Sequence, residues 1–405
     1  MKKFFLLLAV ALFVLPSLAR DFEYNGLIYT VTNEKNGTCQ TKAGDKDTPG
    51  NEVSGELVIP DVVYDGNNKF SVTGVGYRSF AGCTELTSVT LPSSLTKIVI
   101  EAFARCTGLT SVEFPTSLTE IGNRAFIGCT ALTSVALPSS LTKINSSAFE
   151  NCSGLVSVEL PSSLTSIEFS TFSGCSSLAS IELPSSIVEI ESSAFQNCSS
   201  LASIGWPSSL TRIGGEAFSG CTSLTSLDFP ASLTEICFAA FYECTELTSV
   251  IWPSSLTKIE ARAFYDCKKL TSVTFFASLT ELQDNAFYNC IGLKSIYYDA
   301  PTLVETCDGA FFNLPHYNKN IYETVTLYVR ESALEQAATV TPWCLFTHRE
   351  AYDFDAGISA TTDIPAAPVE LHTLNGMKVS ADPDALPTGI YVMRQGNDVR
   401  KIAVN

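Results

Sequence analysis

Apolar residues return along most of the chain with a fixed step. Phenylalanine stands at 80, 103, 126, 149, 172, 195, 218, 241, 264 and 287, and cysteine at 83, 106, 129, 152, 175, 198, 221, 244, 267 and 290; each step is 23 residues. One unit, Ala102 to Ala125, reads AFxxCTxLTSVxLPSSLTKIxxx. In Leu86-Thr-Ser-Val89-Thr-Leu91, Val89 and Leu91 alternate with Ser88 and Thr90, the period of a β-strand with one buried face. Pro92 has no N–H to give a ladder and ends the strand. Leu95 and Ile98 bring the chain back to the core from the other side, and the Ala-Phe pair fills the interior.

A 23-residue coil cannot bury its apolar face alone, whereas stacked coils share one continuous core. The expected fold is therefore a repeat solenoid with a parallel β-sheet face and about ten to eleven coils of 23 residues. With strands roughly 4.7–4.9 Å apart, ten coils predict a sheet on the order of 45 Å long. Leu86, Val89 and Leu91 match the LxxLxL signature of leucine-rich repeats. The full unit, AFxxCxxLxxVxLPxxLxxI, resembles the BspA-like class of bacterial leucine-rich repeats over about residues 53–350. Phe22 to Val31 looks like that class's lead-in, and Thr326-Leu-Tyr-Val329 with Trp343 and Phe346 looks like its closing unit. The resemblance implies secreted or surface-displayed proteins, some of them adhesins for host matrix proteins or other bacteria, and carries over no catalytic residue.

The ends of a solenoid must shield its core and so should be atypical. Leu57-Val-Ile-Pro60 reads as an incomplete first coil, with nine extra residues before Phe80. At the far end Phe311 follows Phe287 by 24, and 321–347 reads as a non-repeat cap. The expected organisation is a signal peptide at 1–19, a lead-in and capping coil at 20–71, repeats at 72–314, a cap at 315–350, a linker at 351–368 and a small β tail at 369–405. Within the tail, Val369–Leu374 and Gly389–Arg394 read as strands, and Asn375-Gly376 as a turn into Met377-Lys-Val379. The tail resembles the second half of a type IX secretion sorting domain in its NGMKV, LPTGIYVM and KIAV stretches, without that family's first strands.

Composition and the N-terminus narrow the function. Lys2 and Lys3, the apolar run Phe4 to Leu15, Pro16 and Ser17-Leu18-Ala19 form a secretory signal peptide, too short to span a bilayer. No later segment approaches a membrane span, so the mature chain is expected to be soluble, extracellular or on the outer cell surface, and a monomer. Charged residues are only 17% of the chain, which suggests a thin core coated with Ser and Thr. A net charge of −17, about −19 without Lys2 and Lys3, repels nucleic acid and anionic lipid.

Candidate chemistry is sparse. The cysteine ladder lies in an oxidising compartment, yet stacked equivalents point the same way, so buried thiols are expected rather than disulfides or a metal site. Cys39, Cys237, Cys307 and Cys344 stand off the ladder, and one pair of them could be oxidised. Trp206 and Trp252 occupy the position of Leu91 and should be core, distorting the stack with their bulk. The row Lys97, Glu120, Lys143, Ser166, Glu189, Arg212, Glu235, Lys258, Glu281 alternates in charge, as adjacent strands prefer. His316, His348 and His372 fall outside the repeats, and GxSxG, HExxH and Walker motifs are absent. No catalytic residue, metal or cofactor is expected. The remaining outward row varies: Thr90, Glu113, Ala136, Glu159, Glu182, Gly205, Asp228, Ile251, Thr274, Tyr297, beside a constant serine. Glu113, Glu159, Glu182, Asp228, Ile251 and Tyr297 are the candidate binding face, with Glu159 and Glu182 about 5 Å apart and uncompensated. Three readings follow: a protein-binding adhesin, a glycan binder, or a structural surface component. Tyr297 is the one aromatic on that row, which favours protein binding.

Overall fold

A computed structural model describes residues 20–45, 47–304, 309–311 and 320–354, and the backbone of strands 369–373, 389–395 and 398–404. The expected signal peptide, the linker over 355–368, Cys307, His316 and the Asn375-Gly376 turn with Met377–Val379 lie outside the described residues. The chain divides into two compact units, 1–350 and 351–405.

The first unit is a parallel β-solenoid of leucine-rich-repeat coils. Each coil carries a front strand, such as Ser134–Ala136, and a two-residue return strand, such as Lys143–Ile144. Between them the eleven phenylalanines from Phe80 to Phe311 stack as one column, ring centroids 5.2–5.7 Å apart and planes within 12°. Phe311 joins this column despite its 24-residue step. All eleven rings are fully buried.

The front wall departs from the sheet that the repeat predicts. Its strands pair in short groups: 134–136 with 157–159, 180–182 with 203–205, 226–228 with 249–251, flanked by larger groups at each end. The return wall, by contrast, runs as ladders over 97–144 and 166–282. The ring column accounts for this. Its rise exceeds the roughly 4.8 Å natural to paired strands, so only one wall can hold strand spacing from coil to coil. The two-residue return wall does so with a single break between 144 and 166, and the front wall takes up the excess by losing pairing at more frequent intervals.

Both ends are closed by sequence that departs from the repeat. At the N-terminus, strands Asp21–Tyr24, Leu27–Asn33, Thr38–Thr41, Asn68–Gly74 and Val62–Asp65 form a five-stranded sheet in that order. The nine inserted residues thus build a hairpin, 62–65 with 68–74. Gly55–Val58 pairs with Leu86–Thr90 as the first front strand, as the LVIP stretch suggests. A buried polar chain ties this cap to the first coil: Asn51 accepts from the Ile28 N–H at 2.7 Å and donates to Ser79 Oγ at 3.2 Å, and Ser79 donates to Thr41 Oγ1 at 2.8 Å. At the C-terminal end the expected non-repeat cap supplies a further front strand, Thr326–Val329, in parallel register with Ser295–Asp299. Only then do short helices and Trp343 close the core; its indole donates to the Val304 carbonyl at 2.8 Å. In the second unit, Val369–Thr373, Gly389–Gln395 and Asp398–Val404 form an antiparallel sheet in that order, the last strand unanticipated.

The two tryptophans do not distort the stack. From Phe195 to Phe287 the rings keep spacings of 5.2–5.4 Å. Trp206, Phe229, Trp252, Phe275 and Tyr298 are successive members of one column, 5.5–6.4 Å apart, so bulk in one coil meets bulk in the next. Trp206 and Trp252 present their edges to Phe218 and Phe264, an arrangement aromatic pairs favour. Trp252 is buried, while Trp206 is half-buried against the core.

Each coil also turns twice through the left-handed region. The residue before each ladder cysteine has positive φ, from Gly82 to Asn289, and so does the residue two before each phenylalanine, from Arg78 to Asn285. Glycine takes this conformation freely and asparagine tolerates it. The glycines have a second constraint. A Cβ on Gly174 would lie 2.3 Å from Asn151 Oδ1 in the coil below, whereas one on Gly82 would meet nothing within 4 Å. Gly82→Ala should therefore cost about 1 kcal/mol, the backbone strain alone. Gly174→Ala should cost measurably more, and adding Asn151→Gly should remove the excess. Thermal and denaturant unfolding of the three variants decides it; equal losses at Gly82 and Gly174 would refute the packing argument.

Candidate binding surface

Alternation along the front strands sends one set of side chains inward and the other to solvent. Val112, Val135, Val158, Ile181 and Leu227 are buried, and their neighbours Glu113, Ala136, Glu159, Glu182 and Asp228 are exposed. Ile251 is 44% exposed, and Tyr297 is half-buried. All six candidate residues thus lie on one wall. The details differ from expectation. Glu113 accepts a hydrogen bond from Thr90 Oγ1 at 3.2 Å. Strands 157–159 and 180–182 are not ladder-paired, and the Glu182 carboxylate lies in the space a Gly205 side chain would fill, 1.7 Å from that Cβ position. Glycine at 205 lets Glu182 lean away from Glu159, which relieves the like-charge contact. Tyr297 stacks on Tyr328 at 4.9 Å with planes 12° apart, so the row ends in an aromatic pair.

Most other polar side chains are occupied in holding coils together. Ser94, Ser117, Ser140, Ser186, Ser209, Ser232, Ser255 and Ser278 each donate through Oγ to a carbonyl 22 residues back, at 2.5–2.8 Å. Ser163 does the same to Leu141. Thr119, Thr142, Thr211, Thr234, Thr257 and Thr280 donate to the carbonyl one coil back at 3.0–3.2 Å. The expected hydroxyl coat is in large part a set of intercoil staples. The ladder cysteines belong to the same system. Nine of them, Cys106 to Cys290, donate S–H to the phenylalanine carbonyl 26 residues back at 3.1–3.3 Å, and Cys83 donates to Asn51 O at 3.3 Å. All ten are free and buried, and so are Cys39 and Cys237, while Cys344 is a half-buried free thiol.

The return wall carries the alternating charges as ion pairs: Lys97 with Glu120 at 2.9 Å, Arg212 with Glu189 and with Glu235 at 3.2 Å, Lys258 with Glu235 at 3.3 Å and with Glu281 at 3.8 Å. This wall also brings together three groups that sequence spacing does not single out. Ligand atoms of Glu235, Cys237 and Glu260 lie within 4.8 Å of one another. Arg212 and Lys258 already engage Glu235, and Glu260 takes Lys258 at 2.7 Å and the Phe238 N–H at 2.8 Å. Burial pushes the Cys237 thiol up to about 11. The cluster works as a closed ion-pair network. A second feature was legible but overlooked: Tyr242, Tyr265 and Tyr288 keep the 23-residue step and stack at 4.9 and 4.6 Å.

Fold and repeat together define a leucine-rich-repeat solenoid whose variable positions collect on one wall. The sequence matches the model of the BspA type leucine rich repeat region, in six copies over residues 73–202 and 188–319, and the chain belongs to that family. Among solved structures it is similar to the pneumococcal vaccine antigen PcpA, at 21% identity and a TM-score of 0.52 over 79% of this chain and 96% of that one. It is similar also to a leucine-rich repeat protein from Bacteroides ovatus, at 24% identity and a TM-score of 0.45 over 82% and 100% of the two chains. A leucine rich cell surface protein from Faecalibacterium prausnitzii matches at 24% identity and a TM-score of 0.41 over 69% and 95%. No curated protein matches the chain. Among the described residues, no helix is long and apolar enough to cross a membrane.

Burial pushes the thiols of Cys106, Cys152 and Cys198 up to about 12. Unfolded thiols ionise near 8.5, so between those values the unfolded chain has fewer bound protons than the folded one. The stabilisation is complete below about pH 8.5 and is lost as the pH rises toward 12. Native protein should keep the twelve buried thiols, the ten of the ladder with Cys39 and Cys237, unreactive at pH 8 until denaturant is added, because the thiolate is the nucleophile. It should also unfold steeply in alkali, with a midpoint raised by Cys152→Ala/Cys198→Ala. Five internal disulfides by mass spectrometry, or an alkaline midpoint indifferent to that double substitution, would contradict this.

Proposed function

We propose that this chain is a bacterial surface-displayed protein that captures a protein partner through its front wall, with Glu113, Glu159, Glu182 and Asp228 as an acidic strip and Ile251 and Tyr297 as the apolar anchor. One observation carries the reading. Most return-wall charges, the Ser and Thr staples and the ladder cysteines have structural partners within the stack, whereas Glu113, Glu159, Glu182, Asp228 and Ile251 on the front row are exposed. Rim charges set association rate and salt dependence, and a tyrosine anchor is typical of interface hot spots. A basic protein surface fits this strip, on a host matrix protein or another bacterial cell. The reading needs no catalytic residue, metal or cofactor, and takes the chain as an extracellular monomer after removal of residues 1–19. Residues 20–71 and 315–350 act as caps on repeats 72–314. A linker at 351–368 leads to 369–405, which serves as a sorting or anchoring module.

Glu159→Lys/Glu182→Lys should leave the fold intact, because both side chains face solvent, and should weaken partner binding and flatten its salt dependence. Matrix proteins immobilised for surface plasmon resonance provide the measurement. Unchanged binding in that variant, with binding abolished by charge reversal at Lys97 and Lys258, would move the active face to the return wall. A chain ending at Asp355 should keep the solenoid's melting temperature and lose surface display. Retained display would refute the sorting role of the tail, and a collapsed melting temperature would refute the boundary.

A further inference from the structure

Two coils break the rule that ends a front strand. Pro207, Pro230 and Pro253 follow the inward aromatic in three successive coils, but Phe276 and Asp299 stand at that position in the next two. Without proline the strands run on, Ser272–Phe276 and Ser295–Asp299, and the neighbouring Thr326–Val329 delivers Arg330 alongside. The ends of these strands, with Ser254, Ser278, Pro301 and Ser332, line a groove of about 500 Å³. That is within the roughly 300–1,000 Å³ usual for small-molecule sites.

The groove's chemistry restricts its ligand. Arg330 donates through Nε to Asp299 Oδ1 at 2.7 Å and places a second guanidinium nitrogen 2.7 Å from the same oxygen. Asp299 and Arg330 both line the groove, so the paired carboxylate borders the space a ligand would fill. The pair is only 23–29% exposed, so neither charge is fully solvated. An anionic ligand would meet Asp299 and a cationic one Arg330, so the site suits a molecule with no net charge. Around the pair stand the side chains of Ser254, Ser278 and Ser332, with Phe276 and Pro301 as apolar wall. A neutral molecule dense in hydroxyls on its edge and apolar on a face meets each of these demands.

We propose that this groove is a saccharide-binding site. A neutral pyranose rests an apolar face on Phe276 and Pro301 and donates a hydroxyl to the Asp299 carboxylate, with Arg330 holding that carboxylate in place. The site uses none of the six residues assigned to protein capture, and the two readings stand or fall separately. Ligand-observed saturation-transfer NMR with lactose, cellobiose, maltose and chitobiose on the full chain provides the test. At least one disaccharide should bind saturably in the millimolar range. Asp299→Asn should weaken it about tenfold or more, and so should Phe276→Leu, which keeps apolar packing against the core while removing the ring of a half-buried residue, and guards against loss of the ion pair unfolding the first variant. Glu159→Lys/Glu182→Lys should leave it unchanged. Absence of binding by all four sugars would overturn the proposal. So would binding indifferent to both groove substitutions, or capture there of a peptide and no sugar.

Discussion

A phenylalanine ring resting on the ring of the coil below, 5.2–5.7 Å away from Phe80 to Phe311, sets the rise that every other part of the solenoid must match. Paired strands prefer a shorter step, and the two walls resolve the mismatch differently. The return wall has two residues per coil and keeps its ladders but for one break between 144 and 166. The longer front strands pair in groups and separate between them. Carbonyls along such a stack need donors, since a buried unpaired polar group costs about 1–3 kcal/mol. The repeat supplies them as Ser and Thr hydroxyls and cysteine thiols that reach back one coil.

That arrangement separates structure from function by position. Serine after the proline, threonine before the return strand, most of the alternating charges on that strand and cysteine after the left-handed turn are engaged within the stack. What is left over is the outward row of the front wall. There a residue can change from Ala136 to Glu159 or from Gly205 to Asp228 without disturbing the core, since its neighbours on the strand already bury Val135, Val158 and Leu227. Even so the row is not independent of packing: Gly205 is the place where Glu182 settles.

The C-terminal coils differ in kind. A second aromatic column, Trp206 to Tyr298, thickens the core beside the phenylalanine stack and ends on Trp343, whose ring is 5.0 Å from Tyr298. In the same region the strands lengthen where proline is replaced, and Tyr297, Tyr328, Asp299 and Arg330 gather on the outer side.

Periodicity determined the coil, its inward residues, the family and the row on which binding residues could stand. A period of 23 with LxxVxL alternation leaves one way to bury every apolar side chain, so Phe103, Cys106, Leu109 and Val112 could be placed from the sequence alone. Other features were decided only in three dimensions. The front sheet is interrupted, many of the hydroxyls are intercoil staples, and the tryptophans fit without distortion. Asp299 meets Arg330 across 31 residues, and Glu235, Cys237 and Glu260 converge. The reason is common to all of these. A repeat specifies what lies within one coil, whereas these outcomes depend on the distance and direction between one coil and the next, set jointly by ring stacking, strand pairing and the side chains that happen to adjoin.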